Sequence, residues 1–271
     1  MTERGLAASG IDTNTPNVAR IYDYLLGGKD NFAADRAAAQ QLMAATPDIA
    51  GIVRDNRAFI GRAVRYLAVQ GGVRQFLDLG AGLPTQLNVH EMARRIAPDA
   101  RVVYVDNDPV VFRHGQALLA RGDGVAMVCA DLRKPQDILR DADVLRLLDL
   151  TQPVGVICAS VLHFVPDEDE PYRVIAEYRD QLASGSFLAI SHGTSATAEE
   201  DPAGVVGSVT SVYRQASAQL HVRSQPEIQR FFDGFELLEP GVVWMTEWRP
   251  DPAVPPTGQP RSLRAGVGRK P

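Results

Sequence analysis

FLDLGAGLPT, residues 76–85, is the stretch whose reading decides the fold of this chain. An apolar run stops at Asp78, then Gly80 and Gly82 follow before a helix opens near Pro84 and Thr85. Glycines let the backbone turn sharply and approach a ligand at the carboxyl edge of a sheet. G-x-G alone is weak evidence. The dinucleotide pattern asks for a third small residue three positions after the second glycine, and Leu83-Pro84-Thr85 fails it at the last position.

Working outward, RVVYVD (101–106), VAMVCAD (125–131), VGVICAS (154–160) and SFLAISH (186–192) are short apolar runs that end in polar or small residues. Helical patterns lie between them, over 86–96, 110–121, 138–148 and 171–183. This alternation predicts an α/β fold, a parallel sheet with right-handed crossovers and helices on both faces. Upstream, Val18, Ile21, Tyr22, Leu25 and Leu26 follow helical spacing up to Gly27-Gly28. Two further helical stretches, 33–46 and 48–70, complete a helical preface. Downstream, 205–220 reads as a helix, and Ser224 to Glu227 is a capping box opening another. FELLEPG and VVWMTEW read as a closing strand pair. From Arg249 the chain is rich in Pro, Gly and Arg, which predicts a flexible tail. The expected organisation is a helical cap or lid over 1–72, a main domain over 73–248 and a tail over 249–271.

The 271 residues carry a net charge of -5, so no broad basic surface for nucleic acid is expected. No run of 18 apolar residues spans a membrane, and MTERGLAASGIDTNTP lacks the apolar core of a secretory signal. A cytoplasmic location is the expectation. Cys129 and Cys158 each end an apolar run, predicting buried residues on strands three sheet positions apart, roughly 14 Å at ~4.8 Å per strand. That is too far for a disulfide.

Three carboxylates fall at equivalent places: Asp78 ends strand one, Asp106 ends strand two and Asp131 follows strand three. A carboxylate ending the second strand can accept both hydroxyls of a ribose. One after the third can sit beside an adenine edge, where its neighbour's backbone N–H can make the bond instead. No Lys or Arg rises from the glycine loop and no phosphate-loop motif is present. Three acids without a phosphate clamp suit a nucleoside that carries a positive centre.

These motifs, in order, resemble those of class I S-adenosylmethionine-dependent methyltransferases: LDLGAGLPT the first, VVYVDNDP the second, CADLRKP the third and VICASVLHFVPD the fourth. NVARIYDYLLGGKDNFAADR joined to FLDLGAGLPT is similar to a bacterial S-adenosyl methyltransferase group formerly described as a domain of unknown function. The resemblance implies a Rossmann-like seven-stranded sheet, order 3-2-1-4-5-7-6, with the last strand antiparallel. It implies S-adenosyl-L-methionine as cofactor, with Gly80, Ala81 and Gly82 under its methionine moiety and Asp78 near its amino group. Asp106 would hold the ribose hydroxyls, Asn107 would lie beside the adenine, and Asp131 and Leu132 would face the adenine amino edge. Ser160 would line the pocket between strands one and four.

Methyl transfer chiefly needs alignment, though an oxygen or nitrogen nucleophile can also need a base. His163 and His192, ending strands four and five, are the two candidates. No metal site is expected, although Asp167, Glu199 and Asp201 could supply ligands. The N-terminal segment reads as a lid over the methyl donor, presenting Arg20, Tyr24, Lys29 and Asn31. The expected function is a methyltransferase acting on a small molecule at oxygen or nitrogen. The alternatives are a non-catalytic nucleoside-binding module and, less well matched, a nicotinamide oxidoreductase.

Overall fold

The computed structural model describes residues 11–84, 88–118, 123–195, 204–251 and 263–271. Helix α1 (Val18–Leu25) opens at Asn17, whose side chain accepts from the backbone N–H groups of Ala19 and Arg20 and so satisfies two of the free first-turn donors. Helices α2 (Ala33–Ala45) and α3 (Ile49–Val69) follow. Along α3, Phe59, Ala63 and Leu67 recur every fourth residue and are buried on one face of the sheet.

Five parallel strands come next in the chain: β1 (Gln75–Leu79), β2 (Arg101–Asp106), β3 (Val125–Cys129), β4 (Gly155–Ala159) and β5 (Phe187–Gly193). Helices α4 (Val89–Arg94), α5 (Pro109–Leu118), α6 (Pro135–Leu139), α7 (Ala142–Leu147) and α8 (Pro171–Gln181) connect them. Then come α9 (Val205–Tyr213), α10 (Gln225–Arg230) and three strands, β6 (Glu236–Leu237), β7 (Val243–Trp244) and β8 (Leu263–Arg269), of which β8 runs antiparallel to β5, β6 and β7. The sheet order is β3-β2-β1-β4-β5-β8-β6, with β7 also pairing β8. Order and fold class agree with expectation, the antiparallel last strand lying beside β5.

Side chains alternate across a strand, so each strand feeds two cores. Phe76, Val102, Ile157 and Ala189 meet α3, α4 and α5 on one face. Leu77, Val103, Val156 and Leu188 meet α6, α7, α8 and α10 on the other. A third, smaller core joins Ile21 and Leu25 of α1, Leu42 of α2 and Val53 of α3, with Val209 and Tyr213 of α9 packed against it.

The structure corrects four expectations. Residues 263–269 of the expected tail form β8, which pairs with β5 over seven residues. Its glycines are what fit: a Cβ on Gly266 would lie 3.2 Å from the Phe232 ring, and one on Gly268 would lie 2.8 Å from Phe232 and 2.9 Å from Phe235. Residues 252–262 of the same expected tail lie outside the described residues. The segments at 236–237 and 243–244 pair with β8, not with each other. Helix α3, expected in the cap, is a layer of the main core, while α9 joins the cap. Cys158 is buried, but Cys129, at the end of the sheet's border strand, is exposed; both thiols are free. Among the described residues no helix is long and apolar enough to cross a membrane.

Candidate active site

The turn after β1 is held by the neighbouring strand. The backbone N–H groups of Gly80 and Ala81 both donate to the Val105 carbonyl, at 2.8 and 3.0 Å. Gly80 and Gly82 have φ of +73° and +65°, which L side chains rarely adopt. A Cβ on Gly80 would also collide with Val161. Asp106 ends β2 and fixes this turn: its carboxylate accepts from Gly82 N at 2.9 Å and from Asp108 N at 2.9 Å.

Asp78 and Asp106 are both buried and share one face of the sheet. Burial pushes the Asp78 carboxyl up to about 7, with the charge of Asp106 adding and that of Arg57 opposing. Burial likewise raises Asp106 to about 6 against the backbone N–H groups that it accepts. Asn107 is exposed at the mouth of the same cavity.

Asp131 and Leu132 also line this cavity. The Asp131 carboxylate is engaged: Arg133 donates to it from Nε and Nη2 and bridges to Asp169 at 2.6 Å. The Leu132 carbonyl accepts from the Tyr178 hydroxyl at 2.9 Å. Ser160, just past β4, has φ of +53°. That conformation costs a non-glycine residue roughly 1 kcal/mol or more. It is held because Ser160 N donates to both the carbonyl and the hydroxyl of Ser191, each at 3.0 Å.

Ser191 passes this connection on to the helices. Its hydroxyl donates to Asn56 Oδ1 at 2.6 Å, and Asn56 Nδ2 donates to the Tyr22 hydroxyl at 2.9 Å. Tyr22 in turn donates to the Val53 carbonyl at 3.2 Å. This line of bonds crosses the floor of a cavity of about 980 Å³. The cavity runs from the Gly80–Gly82 turn and Asp106 to α1, α3 and α9.

Of the four lid residues, only Arg20 lines the cavity. It is buried: Nη1 and Nη2 donate to the carbonyls of Asp12 and Thr15 at 2.9 and 3.1 Å, and Nε lies 3.3 Å from Asp35. Tyr24, Lys29 and Asn31 are not in the wall. Asn31 is buried away from the cavity, donating to Asp23 Oδ2 at 2.9 Å and to the Gly28 carbonyl at 3.1 Å. Asp23 also accepts from Asp30 N, and a Cβ on Gly28 would strike its carboxylate. The Gly-Gly-Lys-Asp-Asn stretch is thus a knotted turn closing α1, with Lys29 exposed.

The two histidines come out differently from each other. Strand alternation puts His192 on the face opposite Ser191, next to Phe231, where it is fully buried outside the cavity. Its Nδ1–H donates to the Gly193 carbonyl at 2.7 Å, and its Nε2 accepts from Arg223 at 3.0 Å. Burial lowers it to about 3. His192 is a neutral structural ring, which corrects the expectation of a base. His163 does line the cavity, but its Nδ1 accepts from Gly193 N at 3.0 Å. Its proton is therefore on Nε2, and burial first, with His192 and Arg223, keeps the ring neutral. A neutral imidazole has one free lone pair; in His163 it is used.

Asp167 pairs with Arg223 at 2.6 Å, and Glu199 and Asp201 lie outside the described residues. No metal-ligand cluster occurs among the described residues. Tyr22, Asn56, Arg57 and His221 are among the cavity residues that the sequence does not single out. Tyr22 enters the sequence pattern only through helical spacing. Asn56 and Arg57 are polar residues within a stretch whose pattern predicts only a helix.

The S-adenosyl methyltransferase family profile matches residues 4–271. Among solved structures, a protein from Thermobifida fusca described as a candidate methyltransferase is 42% identical, with 96% of this chain and 97% of that chain covered and a TM-score of 0.89. A DUF574 family protein from Streptomyces avermitilis is 41% identical, with 96% and 99% covered and a TM-score of 0.90. No curated protein matches the chain.

Proposed function

The chain belongs to the S-adenosyl methyltransferase family and is an S-adenosylmethionine-dependent methyltransferase; from that premise we propose that it methylates a small molecule at oxygen or nitrogen beneath the α1–α9 cap. The observation that carries this reading is one continuous cavity of about 980 Å³, with the Gly80–Gly82 turn and Asp106 at one end and the cap at the other. That is at the upper end of the usual range for ligand pockets, room for a nucleoside cofactor and a modest acceptor together.

The residues present fit the cofactor. Glycine at 82 borders open space, where a Cβ would meet nothing within 4 Å, and glycine at 80 lets the turn pack against Val161. The Asp106 carboxylate, with roughly four lone-pair sites, keeps capacity for hydroxyl donors beside its backbone partners. Arg57 and Asp78, one cationic and one acidic, line the wall within each other's field, a pair suited to an amino-acid end bearing both charges. Ala81, Asn107, Leu132 and Ser160 complete the wall on our reading, with Asp131 supporting it through Arg133.

When bound, the cofactor supplies a methyl carbon activated by a sulfonium centre. The chain's own part is to exclude water and to align the acceptor. Arg20 ties the Asp12–Thr15 segment over the cavity to α2, and the Tyr22–Asn56–Ser191 line fixes the floor at Ser160. The test begins with calorimetric titration of S-adenosylmethionine and S-adenosylhomocysteine into wild type and Asp106→Ala. Release of S-adenosylhomocysteine is then measured with small phenols and amines, and with RNA and protein as acceptors. Turnover with RNA or protein alone would overturn the small-molecule reading.

A further inference from the structure

Apolar side chains gather at the cap end of the cavity. Val53, Phe164, Val206, Val209, Tyr213 and Leu220 line it, with the Phe164 and Tyr213 ring centroids 5.4 Å apart. Among the described residues the cavity wall contains no lysine. Its three arginines face acids: Arg20 meets Asp35, Arg57 acts on Asp78, and Arg133 holds Asp131 and Asp169. An anionic acceptor would find no uncommitted cation, whereas a neutral ring would gain the burial of its apolar area.

One imidazole at this end has its ring unengaged. His221 lines the cavity, and its backbone N–H donates to the His163 carbonyl at 2.7 Å, which sets it beside the turn after β4. No hydrogen bond holds its ring among the described residues, in contrast to His163 and His192. The charge of Asp167 is near enough for the two residues to interact. A neutral amine attacks through its lone pair and sheds its proton afterwards. A hydroxyl gains from losing its proton as it attacks.

Resting on the methyltransferase reading above, we infer that the cap chamber takes a neutral, ring-bearing acceptor with one ionisable hydroxyl, and that His221 receives its proton. The bond from acceptor oxygen to methyl carbon forms as the carbon–sulfur bond breaks, with that electron pair remaining on sulfur. The hydroxyl proton passes to the His221 ring, so no further reactant is needed.

The probe is para-nitrophenol, added to protein saturated with S-adenosylhomocysteine at a pH below the dye's own ionisation. Wild type is expected to bind it and to raise the visible phenolate band. Val209→Glu should weaken dye binding by about tenfold or more while S-adenosylhomocysteine affinity stays within about twofold. His221→Gln and His221→Asn, each checked for native circular dichroism, should bind the dye but lose the phenolate band. Failure of the dye to bind while S-adenosylhomocysteine still does, unchanged dye binding in Val209→Glu, or a phenolate band surviving in both His221 variants would each overturn the inference. Failure of S-adenosylhomocysteine itself to bind would instead remove the cofactor premise, and this inference with it.

Discussion

Tyr22 in the first helix and Ser160 at the end of β4 are joined by consecutive hydrogen bonds through Asn56 and Ser191. The cap and the strained turn at the catalytic edge therefore share one polar skeleton, buried where an unmade bond is expensive. Asn56→Ala strands the hydroxyls on both sides and should cost about 2 kcal/mol, whereas Tyr22→Phe loses one hydroxyl and should cost about 1 kcal/mol. Urea unfolding of the two variants checks this, and equal, negligible losses would show that the connection carries no energy.

Gly80 and Gly82 separate backbone strain from collision. Both need positive φ, but only Gly80 faces Val161, while a Cβ at Gly82 meets open space. Gly82→Ala should destabilise by about 1 kcal/mol and keep measurable S-adenosylhomocysteine affinity. Gly80→Ala should abolish that affinity in the same titration. Equal behaviour of the two variants would contradict the contact with Val161.

Cofactor affinity should depend on pH through Asp78 and Asp106, raised to about 7 and about 6 by burial. Their folded values exceed the ordinary 3.8, so the fold keeps protons that the unfolded chain has lost. The contribution of these groups to stability consequently falls as pH rises from 3.8 towards 7 and is level above it. A cationic ligand prefers the deprotonated forms. S-adenosylmethionine affinity should thus rise by up to about tenfold per pH unit while Asp78 loses its proton, levelling off above its pKa. Calorimetry across this range, with Asp78→Asn flattening the upper part, is the check.

His192 should behave as a structural residue. His192→Ala removes one acceptor of the buried Arg223, which keeps the Leu162 and Val165 carbonyls and Asp167, and empties a fully buried site; it should lower stability by about 2–4 kcal/mol. S-adenosylhomocysteine affinity, measured well below the melting temperature, should stay within about twofold. A large loss of affinity in a stably folded variant would return His192 to the site.

Strand alternation explains which site residues could be read from sequence. Asp78 and Asp106 were legible because acids ending two adjacent strands announce themselves. The same period-two logic places Ser191 on the face of Asp78, through the register Asp78↔Ile157 and Ile157↔Ala189, and sends His192 to the other. Reading by residue type favoured the histidine over the serine. Asn56 could not be found this way, because its partner Ser191 lies 135 residues further along the chain. β8 escaped notice because Ala-Gly-Val-Gly has the composition of a linker. Its fitness as a strand depends on Phe232 and Phe235, which need glycine beneath them.

The position of β8 has a consequence for synthesis. β5 borders it on one side, and β6 and β7 have no strand partner except β8 among the described residues. Among the described strands, the one that fills the gap is the last in the chain. Until it leaves the ribosome, the apolar rim of β5 is an open seam, the kind of exposed edge that recruits other chains. Nascent chains arrested before residue 263 should be cut readily by protease between 230 and 250, and chains that include residues 263–271 should resist. Equal resistance of the two would mean that the seam is closed by something other than β8.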